Sequence, residues 1–147
     1  MVSGDIIFNE VVAKDVILES VSGDINLKGN LNSDKIEIKS TSGDIDTTDI
    51  EAKDVKIKTV SGSIETKKVK SDINIESTSG DIEIETLIGE SNLSTTSGDI
   101  SINDFNILKD SNISSTSGDL KIYLNKESNC NINTKTVSGD VNLPDGK

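Results

Sequence analysis

Histidine, arginine, glutamine and tryptophan are absent from the 147 residues, and cysteine, proline and tyrosine occur once each. Without arginine there is no guanidinium for bidentate capture of phosphate, since all fifteen basic residues are lysine. A chain of net charge −11 with 2% aromatic residues has neither the positive field nor the stacking platforms of a nucleic-acid binder. General acid–base work at neutral pH would fall to carboxylates or lysine. The single Cys130, in "NCNIN", excludes a disulfide framework within the chain and a cysteine-rich metal site. Its asparagine neighbours supply no base or cation to activate it, so a buried thiol at an inward strand position is expected. No apolar run is long enough to span a bilayer, and no signal peptide is seen. The opening "MVSGDII" already lies inside a repeat, so any targeting or anchoring segment is expected upstream of Met1.

Hydrophobic residues make up only 32% of the chain, which with the charge raises disorder as a first alternative. They are, however, mostly Ile, Val and Leu in tight alternation, interleaved with Ser, Thr and Asn. That is the pattern of strands. No stretch has a helical period with caps, so essentially no helix is expected.

One word recurs eight times: Ser-Gly-Asp at Ser3, Ser22, Ser42, Ser79, Ser97, Ser117 and Ser138, and Ser61-Gly62-Ser63 once. The glycines are spaced by 19, 20, 19, 18, 18, 20 and 21 residues. Repeats start near Val2, Val21, Thr41, Val60, Thr78, Thr96, Thr116 and Val137 and span one domain, residues 1–147. After each word comes a period-2 apolar pair such as Ile25/Leu27 or Ile82/Ile84, with Thr47 and Thr66 replacing the second member in two units. A second pair ends the unit, as in Ile36/Ile38 or Ile73/Ile75, and a lone apolar residue such as Leu31, Ile50, Val69 or Phe105 lies between.

Units of this size cannot bury a face alone, but stacked units can, each strand pairing with its equivalent in the next. The expected fold is therefore all-β: a single-stranded parallel β-helix, or β-solenoid, of about seven coils of 18–21 residues. At ~4.8 Å per coil the rod is about 34 Å long. Leucine-rich repeats need a Leu consensus with an Asn ladder, which is lacking. The six-residue left-handed helix and the Gly-Gly-x-Gly calcium roll are excluded likewise.

The repeated word has two readings. Glycine tolerates positive φ, and Ser and Asp bond to nearby amides, which makes a tight corner. Stacked aspartates could instead hold divalent cations. Like charges ~4.8 Å apart repel by only about 0.9 kcal/mol in water, so exposed carboxylates need no cation. Ser63 gives up the charge at one coil, which a corner permits and a metal site resists. "DIDTTDIEAKDV" also fails as an EF-hand loop, with Asp49 where Gly is needed and Val55 where Glu is needed. The corner is the reading adopted, and no catalytic, cofactor-binding or metal-binding residue is assigned. Tyr123 is the one candidate exposed aromatic, with lateral packing as its plainer role.

The repeated [TV]-S-G-D-I-x-[IL] word resembles the bacterial β-strand-repeat family labelled as adhesins, a domain of otherwise unknown function. The resemblance covers the whole chain and implies a right-handed β-helix at the cell surface or envelope, with no catalytic residues to carry over. A non-enzymatic interaction module with a protein or glycan partner is the leading expectation, with no cofactor and no membrane span in this chain. Self-assembly end to end, as in bactofilin-like polymers, competes, because solenoid ends expose strand edges. Pro144 would blunt the far end. A polysaccharide-active enzyme is the third candidate, resting on fold analogy alone.

Overall fold

The computed structural model describes residues 2–106, 111–124 and 132–142. Its strands are β1 (Val2–Ser3), β2 (Ile6–Phe8), β3 (Val11–Ser22), β4 (Ile25–Ser42), β5 (Ile45–Ser61), β6 (Ile64–Ser79) and β7 (Ile82–Ile88). They continue as β8 (Ser91–Ser97), β9 (Ile100–Asn106), β10 (Ser111–Ser117), β11 (Leu120–Leu124), β12 (Ile132–Ser138) and β13 (Val141–Asn142). Every pairing is parallel, and there is no helix among the described residues. The molecule is a parallel β-solenoid whose register joins each residue to its equivalent one repeat later, as in Ile25–Ile45–Ile64–Ile82–Ile100–Leu120. Cys130 and Pro144 lie outside the described residues.

Each coil has three sides, one more than the two apolar pairs foretell. In the second coil the inward residues are Ile25 and Leu27, then Leu31 and Ser33, then Ile36, Ile38 and Ser40. Consecutive exposed residues between these groups, such as Asp34 and Lys35, mark where the strand bends and its inward parity resets. The lone apolar residue of each unit anchors the middle side. Its companion there is small (Ser33 or Ala52), which leaves no period-2 signature in the sequence.

The interior is a set of mostly aliphatic columns, such as Leu18, Ile38, Ile57, Ile75, Leu93 and Ile113. Ile36, Ile38, Ile45, Ile57, Ile64, Ile75, Ile82 and Ile84 are fully buried. Removing such a side chain leaves a cavity between two fixed coils, which costs about 2–5 kcal/mol. Small hydroxyl residues complete the columns. Thr47, Thr59, Thr66 and Thr95 are buried with hydroxyls that have no hydrogen-bond partner.

Candidate functional site

The Ser-Gly-Asp corner is the feature most repeated, and its geometry accounts for each residue. Gly43 has φ of +150°, and a Cβ there would lie 2.2 Å from the carbonyl oxygen of Gly23 in the preceding coil. Only glycine allows the corners to stack this closely. One level in, Ser20 and Ser40 donate to the carbonyl oxygens of Gly23 and Gly43 (3.1 and 3.3 Å). Ser115 and Thr136 donate to those of Gly98 and Gly118 in the coil before (both 3.4 Å).

The aspartates do something a single repeat cannot show. The Oδ1 of Asp5 accepts the backbone N–H of Asp24 (3.0 Å), Asp24 accepts that of Asp44 (2.9 Å), and Asp44 accepts that of Ser63 (2.9 Å). The ladder resumes from Asp81 to Asp99 (3.0 Å), Asp119 (2.8 Å) and Asp140 (3.0 Å). Each carboxylate thus caps the next coil, not its own turn, as a local Asx corner would. The N–H groups of Gly4, Gly23 and Gly43 meanwhile bond to Ser22, Ser42 and Ser61, so the corner backbone is paired as well. Among the described residues the one step without the carboxylate bond runs from Ser63 to Asp81. The shorter serine receives no amide there. Sequence reasoning saw the Asp column but not the direction of its bonds. The signal was the fixed register, which places each Asp beside the amide of its successor.

The outward columns follow the register read from the sequence. Glu19, Lys39, Lys58 and Glu76 share one, and Ile17, Glu37, Lys56, Asn74, Asn92, Asn112 and Asn133 share another. Lys39 sits 3.0 Å from Glu37 and 3.9 Å from Glu19, and Lys58 sits 3.7 Å from Glu76. The hydrogen bond and charge of Lys39 hold the Glu37 carboxyl below the usual range, and the same contact raises Lys39. Farther along, the amide of Asn112 donates to Asn92 (3.2 Å) and that of Asn133 to Asn112 (3.0 Å). The amide ladder adjoins a shallow groove of about 360 Å³ lined by Lys35, Asp54, Lys56, Asp72, Asn74 and Asn92. Asp72 accepts the N–H of Glu90 there (3.3 Å), a second instance of the coil-to-coil cap.

Among the described residues, no group of three His, Cys, Asp or Glu side chains could hold a metal ion. Tyr123 is half-buried, with the Lys121 ammonium 5.5 Å from its ring centroid. No helix among the described residues is long and apolar enough to cross a membrane.

These features define a parallel β-solenoid braced by an aspartate ladder, with polar outward faces. The chain matches the Toastrack DUF4097 family over residues 2–147 and belongs to it, a domain of unknown function. No curated protein and no solved structure matches the chain.

Proposed function

We propose that the chain is a non-enzymatic interaction scaffold of the bacterial cell surface or envelope, an adhesin in the broad sense, whose polar faces bind a glycan or a protein. The observation that carries this reading is the Asn92–Asn112–Asn133 amide ladder beside the Lys35–Asp72 groove. A stack of amides held in register offers a donor and an acceptor at each coil, matched to a chain of hydroxyls. The stacked coils hold these groups in place before any partner arrives, so little ordering cost opposes binding.

Binding of the 147-residue protein to a glycan array and to envelope polysaccharide tests it. Retention that falls at least about tenfold in Asn92→Ala/Asn112→Ala is the expected result. Shortening of any bound glycan would instead make the chain an enzyme. Absence of binding to every glycan would move the search to protein partners, and absence of those too would end the scaffold reading.

A further inference from the structure

Strands β8 (SNLSTTS) and β10 (SNISSTS) carry no charged residue, although 28% of the chain is charged. They differ only in Leu93 against Ile113 and Thr95 against Ser115, and all four of these side chains are buried. Their outward residues are therefore identical. Asn92, Ser94 and Ser97 pair in register with Asn112, Ser114 and Ser117, and Thr96 and Thr116 lie between. The fold does not demand this neutrality. In earlier coils the same outward columns carry Glu37 and Lys39, then Lys56 and Lys58, then Asn74 and Glu76. Carboxylates border the neutral area on both sides, with Asp72 and Glu90 at the corner before it and Asp81, Asp99 and Asp119 at the corner after it.

We infer that this face binds a neutral, extended, β-linked polysaccharide lying along the solenoid axis over Asn74, Asn92, Asn112 and Asn133. The inference rests on the reading of the amide ladder as a binding surface, and it names the ligand class. Direction comes from the ladder. Asn112 donates one N–H to Asn92 and accepts one from Asn133, which leaves it one N–H and one carbonyl lone pair. The same offer recurs at each coil, ~4.8 Å apart along the axis. An extended β-1,4-linked chain of pyranose units advances by a similar step and presents hydroxyls at each one. Exposed Ser94, Thr96 and Thr116 add hydroxyls beside the ladder.

The charge pattern selects among polymers. An anionic chain on this face would run between two carboxylate borders in a protein of net charge −11. A polycation would find its partners at those borders and none on the face itself. A protein partner is disfavoured as well, because the outward residues of β8 and β10 include none of the aromatic or arginine anchors on which protein interfaces depend.

Titration of the 147-residue protein with cello- and chito-oligosaccharides of increasing length tests the inference, with C6-oxidised cello-oligosaccharides as the anionic comparison. Affinity for the neutral series should rise with length until the chain spans Asn74 to Asn133, about four units at ~4.8 Å per coil. It should hold when salt is raised. Ser94→Lys/Ser114→Lys should weaken it by about tenfold or more. That variant should keep the strand spectrum and melting point, since Lys39 and Lys58 already stand side by side in this column. Tighter binding of the oxidised chain, affinity lost on adding salt, affinity indifferent to length, or a lysine variant that binds as well as wild type would each overturn the inference and leave the scaffold reading standing. Failure of both neutral series also overturns it, and only the further failure of every other glycan would remove the glycan arm of that reading too.

Discussion

Asp99 sits in the middle of an unbroken run of the carboxylate ladder, with Asp81 before it and Asp119 after it. Two opposed effects meet there. Its Oδ1 accepts the Asp119 N–H at 2.8 Å, an exposed bond worth about 1 kcal/mol. Against this, each neighbouring carboxylate about 4.8 Å away repels it by about 0.9 kcal/mol before screening. With a screening length near 30 Å at 10 mM salt the two repulsions total about 1.5 kcal/mol, and near 3 Å at 1 M salt they fall to about 0.4 kcal/mol. Asp99→Ala deletes both effects. It should therefore stabilise the protein by about 0.5 kcal/mol at 10 mM salt and destabilise it by about 0.6 kcal/mol at 1 M. Asp99→Asn retains an oxygen acceptor without the charge, and should lie about 0.5 kcal/mol above the alanine variant at both salts. In a domain of this size the swing of about 1 kcal/mol is a shift of roughly 2–4 °C in melting point. Melts followed by circular dichroism, each variant against wild type in the same buffer, measure it. A variant that is several degrees less stable already at 10 mM salt would refute the reasoning. A wild-type melt that drops on adding chelator would also refute it, because the column would then be holding cations.

Two further outcomes follow from the columns. Thr47→Val removes a buried hydroxyl that has no partner and keeps the volume, so urea denaturation should show a gain of about 1 kcal/mol, and a loss would mean the hydroxyl is satisfied in solution. Glu37 is held below its unfolded pKa by Lys39, so its contribution is present above the unfolded value and disappears as pH falls through the folded one. Lys39 is raised, so its contribution holds below the unfolded lysine value and is lost as pH rises through the folded one. Glu37→Gln should flatten the stability profile at the acidic end, and a profile as steep as wild type below the unfolded glutamate value would show the pair to be idle.

The period, the parallel stacking and most inward residues could be read from the sequence because a column keeps a similar aliphatic side chain at most levels, as in Ile38, Ile57 and Ile75. The middle side was not legible. Its second inward place is held by Ser33 or Ala52, and one apolar residue has no period. The Ser-Gly-Asp word could be read as a corner, yet the partner of each carboxylate is 18–21 residues away, where no local turn rule looks. The polar ladders at Lys39 and Asn74 followed from the register alone. That Ile7, Val12 and Ile17 face outward is visible only once their columns are aligned, since in sequence they merely lengthen the apolar runs IIF, VVA and VIL.

The uniform register has a kinetic consequence. Every ladder joins residues roughly one repeat apart in sequence, so each new coil closes a loop of the same length whatever the size of the stack. The entropy to be overcome is set by one coil and not by the whole chain, and growth can spread both ways from any coil that forms first. The sheet, thirteen strands among the described residues with one small, constant loop closure per coil, should fold as a zipper, at a rate governed by its best-packed pair of coils rather than by its length.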